Sequence, residues 1–138
     1  MRPFEENFAK MLARESMKYE ELSKLVSQWG EEKGIFANST PLRQLDKTQE
    51  ELDETKSALE KLNDFDYQGD LMESLGVPTP SEEDLRAEVK DGIGDMLVTI
   101  ILLAKMVDMD SVDCLQSAYD VIKKRTGKMV NGLFVKDQ

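Results

Sequence analysis

Two groups of acidic residues in this chain have the types and spacing to hold a hard cation. In the run KTQEELDETK (47–56), Glu50, Glu51 and Glu54 fall within one helical turn. Glu50 and Glu54 are i,i+4 and Glu51 and Glu54 are i,i+3, so they share a face, at a cost of a few tenths of a kcal/mol, roughly, per like-charge pair. Alone, such a run reads first as a solvated helix face. In EVKDGIGDML (88–97), Glu88, Asp91 and Asp95 form a second stripe at i, i+3 and i+7. This one enters the most apolar segment of the chain, where carboxylates are harder to explain as surface. Two facing helices, each offering two or three carboxylates, make an all-oxygen site. Mg²⁺ or Mn²⁺ is the expected occupant, because no soft ligand is offered. Glu88 and Asp91 also suit the first turns of a helix through its macrodipole.

Two glycines, Gly92 and Gly94, interrupt the second stripe. Together they cost a helix about 2 kcal/mol relative to alanine. Either they let a neighbouring helix or ligand approach the backbone beside the carboxylates, or they serve close helix packing alone. Opposite charge is concentrated near the other end. Residues 121–136 contain Lys123, Lys124, Arg125, Lys128 and Lys136 and no acid, in a chain of net charge −10. A basic last turn satisfies the helix dipole, and beside a metal it would also clamp phosphate oxygens. RTGKMVNG (125–132) lacks the order of a P-loop.

Composition narrows the chemistry further. Histidine is absent, which removes Ser-His-Asp and Cys-His nucleophilic catalysis and any imidazole-ligated zinc. Cys114 is the single cysteine; no intramolecular disulfide forms, and a buried, inert thiol in a reducing cytosol is expected. The acidic balance argues against nucleic acid or an anionic membrane as partner. MRPFEENFAK does not read as a signal peptide, and MLVTIILLAKMV (96–107) is too short to span a bilayer.

The elements that must position these residues follow from periodicity and caps. One domain over residues 1–138 is expected. A first amphipathic helix spans 4–29, with Phe4, Phe8, Leu12, Tyr19, Leu22, Leu25, Val26 and Trp29 at helical spacing, closed by Gly30 or Gly34. Thr40-Pro41 starts a second helix running to about Asn63. Residues 63–80 read as a loop. Ser81 and Asp84 cap a third helix, 82–107. Asp110 or Ser111 caps a fourth, ending near Thr126-Gly127, and 128–138 form a tail. No strand stands out. The third helix is apolar nearly all round from Met96 to Val107, with Met96, Met106 and Met109 as core filler. A small four-helix domain cannot cover it, so an all-α fold completed by a homodimer or homotetramer is expected.

At these residues the chain resembles the MazG-like all-α nucleoside triphosphate pyrophosphohydrolases, particularly the short forms common in phages. The stretches that carry the resemblance are WGEEKGIF (29–36), TPLRQLDKTQEELDE (40–54), EVKDGIGDMLVTIILLA (88–104) and AYDVIKKRTGKMVNGLFVKD (118–137). The family pattern is E-E-x-x-E followed by E-x-x-D. Its first half maps onto Glu50, Glu51 and Glu54. Its second half fits in two registers: Glu88 with Asp91, or Gly92 in the glutamate's place with Asp95. The resemblance implies a four-helix bundle-like fold. It also implies Mg²⁺-dependent hydrolysis of a (deoxy)nucleoside triphosphate to the monophosphate and pyrophosphate. Glu50, Glu51 and Glu54 would be catalytic and, with Glu88, Asp91 and Asp95, would hold metal. Lys123, Arg125 and Lys128 would take phosphate oxygens, Asn131 would order the tail, and Trp29 or Phe36 would stack on the base. The expected compartment is the cytoplasm, that of the host if the chain is phage-encoded. The other reading of the same features is a non-enzymatic helical module that dimerises through the third helix.

Overall fold

A computed structural model describes Pro3, Glu5, Glu6 and residues 17–138. Among the described residues the chain is mostly helical: α1 (Tyr19–Glu32), α2 (Ile35–Asn38), α3 (Pro41–Asn63), α4 (Phe65–Ser74), α5 (Glu82–Met106) and α6 (Ser111–Ile122), then a two-stranded antiparallel sheet of β1 (Gly127–Val130) and β2 (Leu133–Lys136). No helix among them is long and apolar enough to cross a membrane.

The caps read from sequence set the long helices. Thr40 Oγ1 accepts the Arg43 N–H at 3.2 Å, with Pro41 in the first turn. Ser81 and Asp84 form a reciprocal capping box. Asp110, rather than Ser111, caps α6 by accepting the Val112 N–H at 2.8 Å. The first helix differs from expectation. Lys18 is extended and α1 begins at Tyr19, so no unbroken helix runs from residue 4; Phe4, Phe8 and Leu12 lie outside the described residues. Gly30 does not end α1. It is buried within it, and Gly34, in the left-handed region at φ 74°, follows its end.

Two segments expected to be irregular are regular. Within 63–80, α4 forms and closes with a Schellman motif: Val77 N–H donates to Met72 O at 2.9 Å and Gly76, at φ 68°, donates to Glu73 O at 3.1 Å. The expected tail is a β-hairpin, paired Gly127 to Lys136, Lys128 to Val135, Met129 to Phe134 and Val130 to Leu133. Asn131 and Gly132, at φ 51° and 82°, make its two-residue turn. Helix α6 therefore ends at Ile122, four residues short of the expected stop. Gly127 is not a helix cap; a Cβ there would collide with the Val135 carbonyl oxygen and the Phe134 ring.

The centre of the fold is the antiparallel pair α3–α5. Gln44 Nε2 donates to Thr99 O at 3.1 Å, Thr55 faces Gly92, and Lys61 Nζ lies 3.7 Å from Glu88 Oε2. A Cβ on Gly92 would overlap Thr55 Oγ1 and come within 3.1 Å of Thr55 Cβ, whereas one on Gly94 would meet nothing within 4 Å. Of the two glycines, only Gly92 serves close packing. Helix α1 joins through Gly30, which sits against Leu102 and the Phe36 ring, and through the buried Ser23–Ser111 hydroxyl pair at 3.0 Å. The apolar core is small: Ala58, Leu85, Ile101, Leu102 and Ala104. As expected, one chain does not cover the third helix of the sequence reading, α5, on all sides: Leu97 and Ile100 stay exposed. Met96 and Met106 are half-buried, but Met109 is not core filler, and Cys114, read as buried, is also exposed.

Candidate active site

Helical geometry assigns each side of the α3–α5 pair a different chemistry. Gln44, Glu51, Thr55 and Ala58 are the buried line of α3; Leu85, Gly92 and Thr99 are that of α5. In an antiparallel pair, residues one position after each buried residue turn to one common side, and those one position before turn to the other. Leu45, Leu52 and Leu59 therefore share a side with Ile93 and Ile100, and all five are exposed. The opposite side takes Lys47, Glu50, Glu54 and Lys61 from α3 and Glu88, Asp91 and Asp95 from α5. The Lys61–Glu88 ion pair crosses the seam on this side. All six predicted metal ligands thus lie on or beside one face.

Within that face the acids differ. Glu51 points into the seam and is only 8% exposed. Its Oε1 is 3.4 Å from Lys47 Nζ, while its Oε2 is buried with no hydrogen-bond partner. A buried carboxylate oxygen without a partner is costly. Glu50 is exposed and lies 3.3 Å from the same ammonium. Lys47 is thereby held between two carboxylates, and its pKa is raised, chiefly by hydrogen bonding to Glu50. The Glu54 carboxyl, fully exposed, is raised above the usual range, chiefly by the negative charge of Glu51; Glu50 adds to this and Lys47 opposes it. Asp91 and Asp95 are exposed. The helix register brings Asp95 level with Glu51, and Asp91 level with the Glu54–Thr55 turn. Among the described residues no three of these acids converge around a single point as metal ligands do.

The other predicted residues are spread over the molecule. Trp29 is on α1, 45% exposed, and α1 reaches α5 at Leu102, on the carboxylate side of the pair. Lys123 forms an ion pair with Asp120 at 3.2 Å and lies over the Tyr119 ring at 5.7 Å. Arg125 is in the turn after α6, Lys128 on β1 and Asn131 in the hairpin turn. Neither Arg125 nor Lys128 forms an ion pair among the described residues, and no basic residue after α6 pairs with the six acids. Sequence reasoning did not single out Lys47, whose place three and four residues before Glu50 and Glu51 was the available signal. A separate groove of 660 Å³, lined by Ser23, Ser27, Gln28, Phe36, Ile101 and Lys105 among others, contains none of the six acids.

Comparison with protein-family models, with curated proteins and with solved structures gives no match.

Proposed function

We propose that this chain is a Mg²⁺- or Mn²⁺-dependent nucleoside triphosphate pyrophosphohydrolase, converting a (deoxy)nucleoside triphosphate and water to the monophosphate and pyrophosphate. The observation that carries this reading is Glu51: a buried carboxylate with one unpartnered oxygen, on the face shared by five other acids. The donor set is all oxygen, as a hard divalent cation requires. Lys47, held between Glu50 and Glu51, marks where positive charge is already stabilised. The MazG-like motifs support the same reading.

Glu50, Glu51, Glu54 and Asp95 would hold the metal, with Glu88 or Asp91 assisting. Bound there, the cation supplies charge neutralisation of the triphosphate and Lewis-acid polarisation. One of the glutamates orients the attacking water and takes its proton as the new P–O bond forms and the α–β bridge breaks. Lys123, Arg125 and Lys128 take phosphate oxygens as charge-assisted donors, Asn131 holds the hairpin that carries Lys128, and Trp29 stacks on the base.

The exposed side of Leu45, Leu52, Leu59, Ile93 and Ile100 supports a homodimer, or a dimer of such dimers, in which two helix pairs bury these side chains against each other. A non-enzymatic dimerisation module would present the same apolar side, but gives no reason for a buried, unpartnered Glu51. Incubating the protein with Mg²⁺ and a nucleotide mixture separates the two: pyrophosphate and monophosphate are expected, and their absence with both Mg²⁺ and Mn²⁺ would defeat the enzymatic reading. A monomer at micromolar concentration in sedimentation would defeat the oligomeric one.

A further inference from the structure

Helix α4 and the loop after it serve neither the carboxylate face nor the exposed apolar side of the α3–α5 pair. Helix α4 makes its principal contacts with α3. The chain then turns at Gly76 and runs through Val77-Pro78-Thr79-Pro80 to the Ser81 cap. Two cavities flank this loop. One, of 270 Å³, is walled by Phe65, Met72, Val77, Pro78, Pro80 and Leu85. Its charged residues, Lys61 and Glu88, already pair with each other at 3.7 Å. The other, of 420 Å³, shares Phe65, Gly69 and residues 77–79 with the first but also carries Asp66, Asp70 and Glu73. Helix geometry sets the two linings side by side. Phe65, Gly69 and Met72 fall at i, i+4 and i+7, and Asp66, Asp70 and Glu73 repeat that spacing one position later. An apolar stripe thus runs beside an acidic one. None of these three acids forms an ion pair among the described residues.

An apolar pocket with charge on one rim suits a bulky anchor side chain from a partner. Charge narrows the choice of partner. Residues 62–85 hold seven acids and no lysine or arginine, so the complementary occupant is basic. We propose that α4 and the 77–80 loop form a docking site for a short basic segment of another protein. The segment seats one aromatic side chain in the cavity between Phe65 and Met72 and lays flanking lysines or arginines along Asp66, Asp70 and Glu73. A small apolar molecule would match the cavity and leave the acids unmatched. A polyamine would match the acids and leave the apolar walls in water. The proposal does not rest on the pyrophosphohydrolase reading.

The probe is a fluorescein-labelled peptide, GKKWKKG, titrated with the full chain and followed by fluorescence anisotropy. Saturable binding is expected. GKKAKKG, which lacks the anchor, and the charge-reversed GEEWEEG should each bind roughly tenfold more weakly or worse. Two variants locate the site. Gly69 borders both cavities, and a Cβ there would meet nothing within 4 Å. Gly69→Leu therefore has room to occupy that space, and it improves helix propensity. The triple variant Asp66→Asn, Asp70→Asn, Glu73→Gln removes only the charge. Each should weaken GKKWKKG roughly tenfold or more, with circular dichroism unchanged. Asp46→Asn, Asp53→Asn, Asp113→Asn removes as much charge from exposed positions elsewhere and should bind as the wild type does. Absence of saturable binding, equal binding of GKKAKKG, wild-type affinity in either site variant, or an equal loss in the distant triple variant overturns the proposal. Sedimentation with and without peptide checks the occupant. If the peptide dissociates an oligomer and Gly69→Leu is itself monomeric, a second copy of this chain fills the site, and a segment of another protein is overturned.

Discussion

Between α3 and α5, two backbones approach so closely that a threonine rests against a glycine. From α6 onward, almost every side chain faces solvent. Both regions carry residues with chemical potential, and both are locally well formed. The difference lies in what holds them. The α3–α5 pair is positioned by contacts within the chain: Gln44 with Thr99, Thr55 with Gly92, Lys61 with Glu88. Helix α6 is tied to α1 by the Ser23–Ser111 pair, and the hairpin after it is held by its own ladder, by the Asn131-Gly132 turn, and by Thr126 Oγ1 donating to Asp137 Oδ2 at 2.8 Å. Of the acids on this α3–α5 pair, packing fixes Glu51, which is buried in the seam. Arg125 and Lys128, on the exposed segment after α6, have no acidic partner among the described residues.

The comparison is tested first at its rigid end. Glu51→Gln should lower pyrophosphate release by roughly a hundredfold or more, a barrier increase of about 2.7 kcal/mol or above, while circular dichroism stays unchanged because like-charge repulsion is relieved. Glu54→Gln should do the same; normal hydrolysis by this variant would show that the site is elsewhere. In the turn after α6, Arg125→Ala would remove the charge-assisted contact proposed with the triphosphate, worth about 1.5–3 kcal/mol. The expected loss in catalytic efficiency is roughly tenfold to a hundredfold or more, with no change in helix content. Wild-type kinetics in both Arg125→Ala and Lys128→Ala would reduce the basic residues to a helix-dipole role.

Packing gives a smaller, paired effect. Gly92→Ala puts a methyl group into Thr55 and should destabilise by about 1–3 kcal/mol through overpacking. Gly94→Ala meets open space and should stabilise by up to about 1 kcal/mol through helix propensity. Thermal unfolding of the two variants should move Tm in opposite directions; the same sign in both would show that the Thr55–Gly92 approach does not limit the packing of the pair. The smallest effect is in pH. The folded-state pKa of Glu54 lies above its ordinary value of 4.5, so the folded state binds the proton more tightly than the unfolded chain. Metal-free protein should therefore gain stability as pH falls through that raised value towards 4.5, and Glu54→Gln should flatten this part of the Tm–pH curve.

The legible parts of the sequence were those with local causes. Thr40-Pro41, Ser81 with Asp84, and Asp110 each announce a helix start through a side chain that satisfies a nearby N–H, and each does so in the structure. The acid spacing gives the helical phase of each carboxylate but does not report that, among the described residues, no three of them converge on one point. Which acid is buried was not legible, because Glu50, Glu51 and Glu54 differ only in phase relative to a partner helix. The hairpin escaped because its strands are only four residues long and apolar on both faces, so no alternation appears; Asn-Gly was the remaining signal. Helix α4 escaped because Gly69 and its acids resemble a loop, although Gly76 followed by Pro78 fits a helix end. The exposure of Cys114 and Met109 depends on how much of α6 and its approach the rest of the chain covers, which periodicity does not report.

The contact between Thr55 and Gly92 also acts as a detent. Helices joined through leucines can slide by a turn, about 5.4 Å, and still find apolar neighbours. Here one turn of sliding would set Thr55 against Glu88 or Met96, where a side chain fills the notch that glycine leaves open. Only one alignment lets the backbones close. That alignment sets Asp95 level with Glu51, so a residue with no side chain indexes the carboxylates of one helix to those of the other.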